Sequence, residues 1–295
     1  MRPIEGCGTA LVTPFTESGA LDLPALEALV EWQIGEGIDF LVPCGSTGEA
    51  QTMSEAERDE VVRTVVTTAR GRVPVMAGAT SNDTARAVAE TCRMCQLGVD
   101  AILTATPYYN KPSQEGLRRH FLAVAEASSR PVCLYNVPGR AAVNLRPDTA
   151  LALAQHPRIV AIKEASGDLG QIMSLLARRS PDFAVLSGDD WLAFSIGAAG
   201  GDGLISVTSN EVPGPMTDLV RAARAGDLAT ARRLHYRLLP LMEANFLETN
   251  PSPVKAGLAL QGKIRDVLRL PLLPAGDGTR QALRAALVGA GAHVP

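Results

Sequence analysis

Four lysines occur in this chain, at positions 111, 163, 255 and 263, and arginine supplies the rest of its positive charge. Lys163 alone closes an apolar run, Ile159-Val160-Ala161-Ile162-Lys163. A strand buried on both faces normally avoids an ammonium group. Arginine cannot lose its proton to attack a carbonyl. A lysine in a partly desolvated pocket can, because burial disfavours its charged form. Lys163 is therefore a candidate nucleophile for a ketone or aldehyde. The alternative is a solvent-facing lysine paired with Glu164.

Other reactive side chains also follow apolar runs. Tyr135 ends Val132–Tyr135 and has the hydroxyl to shuttle protons, or else it caps the core as an aromatic lid. Tyr108 and Tyr109, two of the four tyrosines, share a loop and the same ambiguity. Gly45-Ser46-Thr47-Gly48-Glu49 offers backbone N–H groups and two hydroxyls to an anion, or simply turns the chain. It is not a phosphate-binding Walker sequence, because the Gly-Lys-Ser/Thr ending is missing. Arg140 stands just past a strand end, where a guanidinium can grip a carboxylate with two bonds, or lie on the surface. Asp189 and Asp190 have the chemistry of acid–base carboxylates, but their place before Trp191 favours helix capping. Cys92 and Cys95 form one CxxC inside a helical pattern; without a second pair or a nearby histidine, a helix-face pair is the better reading. The four histidines are scattered and suggest no metal site or triad.

The elements that must hold these residues recur in a rhythm. Short apolar runs fall at Thr9–Val12, Phe40–Pro43, Val75–Ala77, Ala101–Thr104, Val132–Tyr135, Val160–Lys163, Val185–Ser187 and Leu204–Val207. Helical patterns separate them. Leu26, Leu29, Val30 and Ile34 follow Asp22 as a cap, and Ser54 with Glu57 has capping-box spacing before Val61, Val62, Val65 and Val66. Strands alternating with helices predict a parallel sheet, and near-continuous apolar runs predict strands covered on both faces. Eight such units predict closure into a (β/α)8 TIM barrel. An open doubly wound sheet would more naturally carry a glycine fingerprint after its first strand, and Thr9–Phe15 has none. Residues 1–210 are assigned to the barrel. Residues 211–295 read as C-terminal helices that complete its outer layer and form an appendage. A break is expected at Gly226–Asp227, an interruption at Asn250-Pro251-Ser252-Pro253, and a resumed helix through Val254, Leu258 and Leu260.

The 295 residues suit one large barrel, since such domains commonly run to about 250 residues. A net charge of −3 gives no reason to expect nucleic acid. No apolar run approaches the roughly 18 residues of a membrane span, and Met1–Val12 lacks the pattern of a signal peptide. Five cysteines, an odd number, fit reduced thiols in a cytoplasm.

In a barrel of this kind, the active site lies at the C-terminal ends of the strands, where these polar residues gather. Seven segments in order resemble the dihydrodipicolinate synthase and N-acetylneuraminate lyase family, and its synthase branch in particular. They are Gly-Ser-Thr-Gly-Glu at 45–49, Pro-Tyr-Tyr-Asn-Lys-Pro at 107–112, Tyr-Asn-Val-Pro-Gly-Arg at 135–140 and Ile-Lys-Glu-Ala-Ser-Gly at 162–167, then Leu-Ser-Gly-Asp-Asp at 186–190, Gly-Leu-Ile-Ser-Val at 203–207 and Asn-Pro-Ser-Pro-Val-Lys at 250–255. The resemblance runs from about Gly8 into the C-terminal region.

It implies a lyase of the diaminopimelate route to lysine, in which Lys163 forms a Schiff base with pyruvate. Tyr135 would relay protons with Ser46 and with Tyr109 from a neighbouring subunit. Thr47 and the backbone near Ile205 would hold the pyruvate carboxylate, with Gly188 at the same substrate site. Arg140 would bind the carboxylate of L-aspartate-4-semialdehyde. A protonated imine is the electron sink, so the family chemistry implies no metal or organic cofactor. A homotetramer of paired dimers is implied as well. Position 46 is more often threonine in this branch, and serine keeps the hydroxyl. Lysine-inhibited members carry histidine and glutamate at the positions of Glu55 and Arg86, which implies weak or absent feedback inhibition here. Two rivals share the barrel: a sister pyruvate lyase such as N-acetylneuraminate lyase, and a binding protein without activity. Arg140 and the 250–255 segment favour the synthase branch, and the intact Lys163, Tyr135, Tyr109 and Thr47 set argues against a dead site.

Overall fold

The computed structural model describes residues 4–295. Eight strands follow one another in the chain: β1 Gly6–Ala10, β2 Phe40–Val42, β3 Met76–Gly78, β4 Ala101–Ala105, β5 Val132–Asn136, β6 Ile159–Glu164, β7 Ala184–Ser187 and β8 Gly203–Ser206. All pair in parallel, in the order β2-β1-β8-β7-β6-β5-β4-β3. The two ends of that order meet. Leu41 bridges Val75, and the Gly78 N–H donates to the Pro43 carbonyl at 3.0 Å. The sheet therefore closes into a (β/α)8 TIM barrel, as its sequence rhythm predicts.

Side chains alternate across each strand, so every second residue enters the barrel. Ala10, Val42, Met76, Leu103, Tyr135, Ala161, Leu186 and Ile205 belong to one interior cluster. The other face of the strands joins a second, larger core beneath the helices, with Leu41, Ile102, Leu134, Ile162, Val185 and Leu204. Coverage on both sides is why seven of the strands read as short continuous apolar runs.

The first strand differs from expectation. It spans Gly6–Ala10 rather than Thr9–Val12. Two glycines hide it from an apolar count. A Cβ on Gly8 would stand 2.0 Å from Cε2 of Phe40, so the Phe40 ring fills the barrel where residue 8 has no side chain.

The helices start and stop on recognisable signals. Leu23–Gly35 is capped by Asp22, whose carboxylate accepts from the Ala25 N–H at 3.3 Å. Glu55–Ala69 opens with the Ser54–Glu57 capping box, both reciprocal bonds being present. After β8, Pro213–Arg224 packs on β1 and β8. Leu228–Ala244 follows the expected break. Ser252–Leu260 then buries nearly every side chain, and Asp277–Ala290 packs against both preceding helices. Among the described residues, no helix is long and apolar enough to cross a membrane.

Candidate active site

Strand alternation decides where Lys163 points. Ala161 faces the barrel interior, so Lys163, two residues on, does too, while Glu164 faces outward. Lys163 is 5% exposed, and Tyr135 sits beside it in register on β5. The Lys163 Nζ stands 4.3 Å from the centre of the Tyr135 ring, a cation–π distance.

This overturns the pairing of Lys163 with Glu164. The Glu164 carboxylate instead accepts from Asn136 Nδ2 at 3.2 and 3.1 Å, from the Ser166 N–H at 2.7 Å and from Gln171 Nε2 at 3.2 Å. Burial pushes its pKa up, and those donors pull against the rise. Among the described residues, Lys255 is the lysine that forms an ion pair, with Glu49, and Lys163 forms none.

Lys163 and Tyr135 open on a cavity of about 430 Å³ at the C-terminal ends of the strands. Ser46, Thr47 and Arg140 line the same cavity. The 45–49 turn that carries the two hydroxyls is tight. Gly48 N–H bonds the Gly45 carbonyl at 3.1 Å, and Glu49 N–H bonds the Ser46 carbonyl at 3.1 Å. Cys44 and Glu49 on its flanks hold left-handed φ values of 57° and 54°, uncommon for residues with a Cβ. Thr47 is buried and its Oγ1 accepts from Asn250 Nδ2 at 2.9 Å. Arg140 is exposed, and its Nη2 donates to the Asn250 carbonyl at 3.2 Å.

Gly188 bears on Lys163 from the end of β7. A Cβ there would lie 3.1 Å from Lys163 Cε and 2.6 Å from Ala165 Cβ, so the missing side chain makes room for the lysine. Ile205 is buried in the interior cluster with Tyr135 and is not on the cavity wall. Tyr109 is not brought to the site within this chain. It is 85% exposed, with a left-handed φ of 71°, and only its neighbour Tyr108 reaches the cavity.

The aspartates after β7 lie where capping would place them, with Asp189 at the N-cap position, but neither side chain caps the turn that follows. Asp189 makes no capping bond to the short 3-10 turn at Asp190–Leu192. Burial pushes its carboxyl up to about 6, the nearby Lys163 charge opposes that shift, and Asp190 adds to it. Asp190 is buried and turns to the next loop, where Oδ2 accepts from Val207 N–H at 3.1 Å and from Thr208 N–H and Oγ1, both at 3.0 Å. It thereby ties β7 to the chain after β8. Sequence reading also missed Asn250 as the partner of Thr47, and it missed Gln51, Arg58, Thr80 and Glu90, which extend the cavity past Ser46. Thr80 and Glu90 tell nothing by spacing from Ser46, since both belong to the next strand–helix unit, after β3.

Cys92 and Cys95 meet the end of the adjacent helix. Cys92 Sγ lies 3.7 Å from the Ala127 carbonyl and Cys95 Sγ 3.6 Å from Ser128 Oγ. Among the described residues, no three His, Cys, Asp or Glu side chains are grouped to hold a metal ion.

A closed parallel barrel whose mouth holds one buried lysine against a tyrosine ring, beside a turn of two hydroxyls, defines a class: barrels equipped for carbonyl chemistry at a lysine amine. The chain belongs to the Dihydrodipicolinate synthetase family, whose model matches residues 3–290. It is similar to the 4-hydroxy-tetrahydrodipicolinate synthase of Koribacter versatilis, 55% identical over 289 residues, which cover 98% of this chain and 96% of that protein. It is 52% identical over 282 residues to the 4-hydroxy-tetrahydrodipicolinate synthase of Acidobacterium capsulatum, covering 95% of this chain and 93% of that one. Among solved structures, it resembles the chloride-inhibited dihydrodipicolinate synthase of Acinetobacter baumannii complexed with pyruvate. The TM-score there is 0.97 at 43% identity, covering 98% of this chain and 100% of the other.

Proposed function

We propose that this chain acts as a 4-hydroxy-tetrahydrodipicolinate synthase, condensing pyruvate with L-aspartate-4-semialdehyde on the diaminopimelate route to lysine. The observation that carries this reading is Lys163, a buried lysine over the Tyr135 ring, on a cavity that Ser46, Thr47 and Arg140 also line. Family membership and the pyruvate complex of the Acinetobacter baumannii relative support it.

In this mechanism, the neutral Lys163 amine adds to the ketone carbon of pyruvate. Tyr135 passes protons through the carbinolamine, water leaves, and a protonated imine forms. Loss of a methyl proton gives an enamine, the imine nitrogen taking the electron pair, so no metal or organic cofactor is required. The enamine carbon attacks the aldehyde of the semialdehyde. The amine of the bound adduct then displaces Lys163 and closes the ring, which frees the lysine for another cycle. Ser46 extends the proton relay, joined by Tyr109 from a neighbouring subunit. Thr47 and the backbone near Ile205 hold the pyruvate carboxylate, Gly188 leaves room beside the lysine, and Arg140 receives the carboxylate of the semialdehyde.

The role of Tyr109 requires at least a dimer, and we extend it to a homotetramer of paired dimers. Its 85% exposure leaves it available to a second copy. The barrel is assigned to residues 1–210 in this reading, residues 1–3 lying outside the described ones, and 211–295 complete its outer layer, supported by the packing of Pro213–Arg224 on β1 and β8. The five free thiols suit a cytoplasmic enzyme.

Turnover separates this reading from a sister lyase. Purified protein with pyruvate and aspartate-4-semialdehyde, coupled to a reductase that consumes the product, is expected to oxidise the reductase's nicotinamide cofactor. Turnover only with N-acetylmannosamine or another aldehyde reassigns the second substrate.

A further inference from the structure

Two residues in the motifs at 45–49 and 250–255 take no part in the chemistry above, yet they are paired in the core. Glu49 ends the turn that carries Ser46 and Thr47, and Lys255 lies in the helix Ser252–Leu260. Both side chains are wholly buried, and Lys255 Nζ stands 2.7 Å from Glu49 Oε1. The same Nζ donates to the Thr13 carbonyl at 2.9 Å and sits 4.3 Å from the centre of the Phe15 ring. The other Glu49 oxygen accepts from the Arg269 N–H at 3.1 Å. Neither residue lies on the cavity wall.

A buried ion pair is a weak device for stability, since desolvation offsets much of its attraction. Its better-attested use is to fix one geometry. The surroundings fit that use. Glu49 is held at a left-handed φ of 54°, which closes the turn. Thr13 is bound from both sides, because its hydroxyl donates to the Gly48 carbonyl at 2.7 Å while its own carbonyl takes the Lys255 bond. Five residues before Lys255, Asn250 holds the Thr47 hydroxyl. The 250–255 segment thus grips the turn at Thr47 and again at Glu49.

We propose that Lys255 and Glu49 are positioning residues: their buried pair locks the 45–49 turn so that the Ser46 and Thr47 hydroxyls face Lys163, coupling a C-terminal helix to pyruvate binding. This rests on the reading of Lys163 as the pyruvate-binding lysine. The pair acts on the turn, and so on the first half-reaction, in which pyruvate is captured.

Lys255→Met alone strands a buried carboxylate and is expected to fold poorly. The decisive protein is the double variant Glu49→Gln, Lys255→Met, which keeps shape and removes both charges. Its melting transition is followed, and kinetics are run below it. Partial unfolding lowers kcat and leaves KM unmoved, whereas a displaced turn raises KM for pyruvate. The expected result is a pyruvate KM at least about tenfold above wild type, within the on-the-order-of 10²-fold loss in kcat/KM that a shift near 1 Å produces. A folded double variant with wild-type KM for pyruvate overturns the proposal alone. Failure of the wild-type protein to form a borohydride-trapped pyruvate adduct overturns the underlying reading, and the proposal with it.

Discussion

Replacing Gly188 with alanine adds one methyl group beside the proposed nucleophile. That carbon would stand 2.6 Å from Ala165 Cβ, 3.1 Å from Lys163 Cε and 3.2 Å from the Glu164 carbonyl oxygen. Carbon atoms meet comfortably at about 3.5 Å, so the first contact is short by close to 1 Å. Ala165 follows directly on the strand that carries Lys163 and Glu164, and the Gly188 N–H is bonded to that Glu164 carbonyl at 2.7 Å. Backing away therefore moves β6 against β7, and the lysine shifts with it. Overpacking of this kind costs about 1–3 kcal/mol, and a chain this long loses roughly 2–4 °C of Tm per kcal/mol. A displacement near 1 Å at Lys163 lowers the rate of imine formation on the order of 10²-fold. The assay is the rate of pyruvate-dependent borohydride trapping beside a thermal melt. A variant that melts lower but traps pyruvate at the wild-type rate refutes the tie between Gly188 and the lysine. One unchanged in both refutes the packing argument as well.

Two further outcomes follow from charge. The Asp189 carboxyl is raised from 3.8 to about 6 in the fold, so the native state binds more protons than the unfolded chain between those values, and stability falls as pH climbs through that window. Asp189→Asn escapes the penalty: its stability advantage, measured by denaturant unfolding, is expected to grow from pH 4 to pH 6 to on the order of 1–3 kcal/mol and then level off. An advantage independent of pH contradicts the burial argument. Arg86 carries a guanidinium with 83% of its side chain exposed, which repels a cationic amino acid, and L-lysine is expected to leave the initial rate nearly unchanged. Strong inhibition at sub-millimolar lysine contradicts that expectation.

Most of the fold was legible because strands covered on both faces leave unbroken apolar runs. The exception, β1, is instructive. Gly6 and Gly8 contribute no apolar side chain, and the space they leave is filled by Asp39 and by Phe40 of the next strand respectively, partnerships no local window contains. Lys163 stood out through rarity and position. What the sequence could not assign was direction. Glu164 is adjacent to Lys163 in sequence and opposite to it across the strand, which alternation explains only once the interior face is fixed. Asp189 and Asp190 had the spacing of caps, yet the deciding contact for Asp190 lies on the loop after another strand. The grip of Asn250 on Thr47 and of Lys255 on Glu49 joins residues 203 and 206 positions apart. Such pairs carry no period, and only the closed barrel brings them together.

The central claim is that Lys163 captures pyruvate as an imine, and trapping tests it most directly. Wild-type protein incubated with pyruvate and borohydride, then digested and weighed by mass spectrometry, is expected to carry one reduced pyruvate adduct on the peptide containing Lys163. Lys163→Arg, which keeps the charge and loses the nucleophile, is expected to carry none. An adduct on Lys111, Lys255 or Lys263 instead, or no pyruvate-dependent adduct at all, contradicts the account.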